Sequence, residues 1–119
     1  MTASSVEPTT DLVTIDVTDT ATGVRVTASG EIDSSSAPQF RSPLDAALDR
    51  GVGEIVIDLC GVSFLDSAGL CVLAAAHRRA VLGGVRLSVR ASSRAVIRPM
   101  QITGLYDLLD VRVEPDTAA

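Results

Sequence analysis

Asp66 and Ser67, followed by Ala68-Gly69-Leu70 and a run rich in Ala, Leu and Val, are the residues of this sequence best placed to do chemistry. Asp and Ser ahead of an apolar helical run are ordinary N-caps, whose side-chain oxygens accept amide protons that the first turn leaves unpaired. The same amides and the helix dipole favour negative charge, so a hydroxyl there stands where a phosphate is tolerated. Ser67 as a nucleophile fits poorly. A nucleophile elbow needs G-x-S-x-G, and Leu65 occupies the first glycine position. His77 lies about 10 residues further along the same helix, roughly 15 Å away, too far to serve as its base.

The remaining reactive side chains exclude whole classes of function. Cys60 and Cys71 are the only cysteines, not in C-x-x-C spacing, and both read as reduced core thiols. With one His they would have to recruit carboxylates to close a zinc site, so no metal or other cofactor is expected. All ten basic residues are Arg, which removes Schiff-base lysines and the Walker A lysine. The net charge of -5 argues against general nucleic-acid affinity. That charge is lopsided: residues 1–66 hold three Arg and eleven acids, residues 67–119 seven Arg and four acids. Arg78, Arg79, Arg86, Arg90, Arg94 and Arg98 fall in an acid-free stretch, an anion or RNA face in principle. No aromatic residue is interleaved for base stacking, so a solvated surface is the better reading.

These residues need a scaffold, and 119 residues with 46% hydrophobic side chains suffice for one domain. Residues 1–10 and 115–119 read as flexible tails and 11–114 as the folded unit. Val13, Ile15 and Val17, then Val24, Val26 and Ala28, alternate with polar residues as in a hairpin with one buried face. Gly30 should end the second strand and Glu31–Ser35 form a polar loop. Ser36 with Gln39 matches a capping box for a first helix, which Pro43 should bend. Glu54–Leu59 reads as a central strand covered on both faces, delivering a loop that ends at Asp66-Ser67. Ser67–Leu82 should be a helix closed by Gly83-Gly84, followed by a strand through Val85, Leu87 and Val89. Ser92 or Ser93 can cap a third helix to about Ile102, with a helical turn and a short last strand at Val111–Val113. Strand and helix alternation after the hairpin implies an α/β fold with a mixed sheet. The apolar run Ala68–Ala76 is far too short to cross a bilayer, and Met1–Thr10 lacks a secretory pattern, so a cytoplasmic protein away from membranes is expected.

The segment Phe64-Leu65-Asp66-Ser67-Ala68-Gly69-Leu70, with strand Glu54–Leu59 before it and Gly30-Glu31-Ile32-Asp33 upstream, resembles the STAS domain of bacterial anti-sigma factor antagonists. The likeness extends through Ser92-Ser93-Arg94-Ala95-Val96 and Thr103-Gly104-Leu105, about residues 11 to 114. It implies a STAS-like single domain, a mixed β-sheet with an N-terminal hairpin and helices packed on it. It further implies a non-enzymatic module that binds a cytoplasmic anti-sigma factor with serine kinase activity and so releases a sigma factor. By the resemblance, that kinase phosphorylates Ser67 and ends binding, and a phosphatase restores it. Glu31, Asp33, Ser36, Asp66, Ser67, Ala68 and Gly69 are the partner-binding positions it carries over. The alternative is a STAS module that senses a nucleotide or other anion at the Ser67 helix terminus without sigma-factor regulation; a serine hydrolase ranks third.

Overall fold

The computed structural model describes residues 13–115. The tail expected over residues 1–10, and residues 116–119 of the other, lie outside the described residues. Alternating β-branched and polar residues form β1 (Val13–Asp19) and β2 (Gly23–Ile32), an antiparallel pair in register from Val13 opposite Gly30 to Asp19 opposite Val24. Then follow α1 (Ala37–Asp49), β3 (Glu54–Leu65), α2 (Ser67–Gly83), β4 (Arg86–Ala91), α3 (Arg94–Thr103), α4 (Leu105–Leu108) and β5 (Asp110–Val113). The strands lie in the order β1-β2-β3-β4-β5, with every pair after the hairpin parallel. The mixed α/β sheet expected from the alternation of elements is therefore present.

One face of the sheet is dry. Val24, Val26 and Ala28 of β2, Ile55, Ile57 and Leu59 of β3, and Val89 and Ala91 of β4 are buried there. They form one core with Phe40, Leu44 and Ala47 of α1, Leu70, Leu73 and Ala76 of α2, and Val96 and Met100 of α3. The other face is open, which corrects the expectation of a β3 covered on both sides. Val56 is only half-buried, and Asp58 forms an ion pair with Arg25 of the neighbouring strand. Burial pushes the Asp58 carboxyl up. The Cys60 amide and the Arg25 guanidinium more than offset this and leave it below its ordinary value. Arg90 pairs with Glu114 on the same face at 3.4 Å. A sheet with one solvated face is stable because that face alternates out of the core.

Several boundaries differ from expectation. β2 continues past Gly30 to Ile32, and β3 continues through residues 60–65, because Ser29 to Ile32 pair with Gly61 to Leu65 across two register shifts. Residues 31–32 and 60–65 of the expected loops are thus strand, while residues 33–35 remain a turn. Ile32, Val62 and Leu65 are buried, so this second stretch of pairing carries its own apolar contacts. The helix α1 runs as one element through Pro43. Gly84, at φ 70°, supplies the left-handed C-cap of α2. The Arg-rich stretch is dispersed: Arg79 binds Asp49 at 2.6 Å and Asp45 at 3.3 Å on α1, and Arg86 reaches Glu54 at 4.0 Å.

Candidate functional site

The ends of β2 and β3 bring two chain segments together. The Asp66 N–H donates to the Ile32 carbonyl at 3.2 Å, so the start of α2 is fastened beside the turn that opens α1. That turn is built by Asp33 and Ser36. One Asp33 carboxylate oxygen accepts the Ser35 N–H at 2.9 Å and the Ser36 N–H at 3.2 Å. In return, the Ser36 hydroxyl oxygen accepts the Asp33 N–H at 3.0 Å and donates to the Glu31 carbonyl at 2.9 Å. This is a reciprocal capping box, but between Asp33 and Ser36 rather than between Ser36 and Gln39. The Ser36 side chain gives α1 no cap hydrogen bond of its own. Hydrogen bonds from the Ser35 hydroxyl and amide, and then from Ser36, hold the Asp33 carboxyl below its ordinary range.

Asp66 is the N-cap of α2 and accepts the Ala68 N–H at 2.9 Å. Ser67 follows as the first helical residue. Its side chain is exposed, and among the described residues its hydroxyl makes no hydrogen bond. The two residues therefore divide the tasks that the sequence left open between them: Asp66 caps, and Ser67 is left accessible. Glu31 is exposed and Asp33 and Ala68 are half-exposed around it. Ser36 and Gly69, carried over as partner-binding positions, lie beneath this surface instead. Ser36 is 1% exposed because its hydroxyl bonds point into the turn. Gly69 is buried because α2 presses there on Leu65 and Ile32. A methyl group at Gly69 would meet Leu65 Cδ1 and come within 2.9 Å of Ile32 Cγ2.

Other residues join the site that sequence reasoning did not single out. Phe64, in register with Glu31, is 46% exposed. Strand alternation would have turned it away from buried Leu65 had residues 60–65 been read as strand. Between the starts of α1 and α2 runs an open groove of about 450 Å3, lined by Ser34, Pro38, Arg41, Ala68, Cys71 and Val72 among others. Cys71 is exposed at its lip, which corrects its reading as a core thiol: one helical turn after Ser67, it shares Ser67's outward face. Cys60 is half-buried, and burial and the Asp58 carboxylate raise its pKa, so the thiol form is favoured. His77 is half-buried on α2, well removed from Ser67. The site can thus offer a protein surface an apolar groove, an exposed ring, three carboxylates and one free hydroxyl.

Comparison with known proteins identifies the family and the fold. Residues 15–110 match the family model described as Mlab, STAS domain. The anti-sigma-B factor antagonist of Bacillus subtilis (strain 168) is 32% identical over 104 residues, covering 87% of this chain and 94% of its own. The crystal structure of an anti-sigma factor antagonist from Mycobacterium paratuberculosis superposes with a TM-score of 0.78 at 33% identity, covering 83% of this chain and 84% of that one. The anti-sigma factor antagonist SpoIIAA in its unphosphorylated form shares the fold, with a TM-score of 0.74 at 20% identity over 87% of this chain and 90% of its own. With its capped α2 start, its mixed sheet and these relatives, the chain belongs to the STAS domain family and is similar to that family's anti-sigma factor antagonists.

Proposed function

We propose that this chain is a cytoplasmic anti-sigma factor antagonist. It docks on an anti-sigma factor with serine kinase activity, frees a sigma factor, and is released when that kinase phosphorylates Ser67; a phosphatase resets it. The exposed hydroxyl of Ser67 at the first position of α2, unbonded among the described residues, is the observation that carries this reading. The hydroxyl is borne one residue before Ala68, which lines the groove between the starts of α1 and α2. Phosphorylation adds a charge of about -1.5 to -2. The unpaired amides of α2 accommodate that charge in the free protein. A docked partner would have to desolvate a dianion beside Asp66, at a cost comparable to the few kcal/mol that separate tight from negligible binding.

The test is reconstitution with the cognate kinase and Mg-ATP, read by mass spectrometry of the intact chain and its peptides. One phosphate at Ser67 is expected, lost in Ser67→Ala. In titration against the kinase, Ser67→Ala should bind like the unmodified chain and Ser67→Asp more weakly. Equal binding by both, or phosphate elsewhere, refutes the switch.

A further inference from the structure

The open face of the sheet carries a hollow of about 300 Å3 over β3, β4 and β5, lined by Glu54, Arg86, Ser88, Arg90, Asp110 and Arg112 among others. Alternation puts Arg86, Ser88 and Arg90 on one face of β4, and the parallel register sets Arg90 beside Arg112 of β5. Like charges at neighbouring positions of one sheet face repel. The nearby acids relieve this only in part. Arg112 donates to Asp110 at 3.4 Å, Arg86 comes no closer than 4.0 Å to Glu54, and Glu114, outside the lining, lies 3.4 Å from Arg90. Each of these contacts occupies one nitrogen of a guanidinium that carries five N–H donors. The half-buried Ser88 hydroxyl, between Arg86 and Arg90 along β4, makes no hydrogen bond with a described residue.

Acceptors are left over in the same hollow. Glu54 takes the Thr22 hydroxyl and faces Arg86 through Oε1, and Asp110 takes Arg112 through Oδ2. Glu54 Oε2 and Asp110 Oδ1 therefore have no partner among the described residues. A bare anion would use the guanidiniums alone and be repelled by both carboxylates. A ligand that joins an anionic group to hydroxyls satisfies both sets. Among the described residues no aromatic ring lines the hollow to stack a nucleobase. We propose that it binds a small hydroxylated phosphate ester of the sugar-phosphate class. The phosphoryl oxygens accept from Arg90, Arg112 and the Ser88 hydroxyl, and the ligand's hydroxyls donate to Glu54 and Asp110. Glu54 and Arg86 open β3 and β4, whereas Ser67 follows the last residue of β3, so this site and the switch lie toward opposite ends of the sheet.

NMR titration of the 15N-labelled full chain with ribose 5-phosphate and glucose 6-phosphate, at a constant ionic strength of about 0.15 M, tests the site. Inorganic phosphate, the unphosphorylated sugars and AMP are the comparison ligands. Saturable shifts are expected at residues 54, 86–90 and 110–112, with a Kd of about 1 mM or below for at least one sugar phosphate and at least about tenfold weaker binding of inorganic phosphate and free sugar. Arg112→Ala should weaken the sugar phosphate at least about tenfold and leave the melting temperature within about 4 °C, as for an exposed surface residue. Ser67→Asp should leave the Kd unchanged. Four results would overturn the proposal: no saturable shift from either sugar phosphate up to about 10 mM; inorganic phosphate binding as tightly as the esters, which would make this an adventitious ion only; AMP binding more tightly than both; or a Kd indifferent to Arg112→Ala. Shifts centred on residues 66–69 and lost in Ser67→Asp would place the ligand at the start of α2 and refute it equally.

Discussion

Ser36→Ala separates a structural role from a docking role at a residue that both readings value. In the structure the hydroxyl accepts from the Asp33 N–H at 3.0 Å, donates to the Glu31 carbonyl at 2.9 Å and lies 3.4 Å from an Asp33 carboxylate oxygen, and the residue is 1% exposed. The alanine variant leaves both backbone groups without that partner in a partly closed turn. At about 1 kcal/mol per hydrogen bond, with more where a buried group is orphaned, the loss is about 2 kcal/mol. In a domain of about 100 residues that lowers the melting temperature by about 8 °C or more. Calorimetry or circular dichroism of the two proteins in parallel measures it. Because the box is reciprocal, Asp33→Ala and Ser36→Ala together should cost less than the sum of the singles. If Ser36 instead touched a partner directly, Ser36→Ala would weaken binding and leave the melting temperature within about 2 °C of the parent; that result would refute the buried-turn assignment.

Gly69→Ala should lose about 1–2 kcal/mol, since a methyl group that meets both Leu65 and Ile32 puts overpacking in the upper part of its range of about 1–3 kcal/mol, while the helix propensity of alanine returns about 1. A urea midpoint equal to or above the parent's contradicts it. Phe64→Ala should weaken binding to the anti-sigma factor by about tenfold with an unchanged urea midpoint, as for an exposed aromatic anchor; unchanged binding removes Phe64 from the interface. Asp33 and Asp58 both have carboxyls below their ordinary value of 3.8 in the folded state. A depressed folded value means the stabilisation is complete above the unfolded value and lost as pH falls through the folded one. The melting temperature should therefore be flat between about pH 7 and pH 5 and fall below about pH 4. Asp33→Asn should shrink that acid loss, and an identical acid profile in this variant would show that the turn does not depend on the charge.

The hairpin, the apolar middle of β3, the long α2 and the glycine stop at Gly84 were legible because each rests on local periodicity or on one residue's backbone freedom. The second pairing of β2 with β3 was not. Glu31, Ser63 and Gly61 break the alternation there, and the strand exists only because distant residues align Ile32 with Leu65. Ser36 went wrong for a related reason. A serine three residues before a glutamine satisfies a capping pattern, but so does an aspartate three residues before a serine, and which box closes depends on where β2 stops. Cys71 was misplaced because α2 is apolar on most of its surface, so composition alone does not say which side faces out. Ser67 and Asp66 were legible because a helix start ahead of an apolar run is a local signal.

The division of labour between Asp66 and Ser67 suits the α2 terminus to the proposed switch. A serine that capped the helix itself would lend its oxygen to an amide, and phosphorylating it would disturb the cap that holds the helix start. Here Asp66 takes the Ala68 amide at 2.9 Å and is itself tied to Ile32 through its own N–H. The Ser67 oxygen can then gain or lose a phosphate while the helix start stays capped. The neighbouring constraints work in the same direction: Gly69 seats the first turn on Leu65 and Ile32, and the Asp33–Ser36 box holds the facing turn. A rigid surface has one consequence for signalling. Under the proposed function, a phosphate on Ser67 would change the charge a partner meets and leave the capped helix start in place, so its effect would fall on the affinity of the complex rather than on the fold of the free protein. Under this reading the phosphorylated and unmodified chains differ in partner binding by orders of magnitude and in melting temperature by about 2 °C or less. A phosphorylated form that melts far from the unmodified one would show that Ser67 is part of the cap after all.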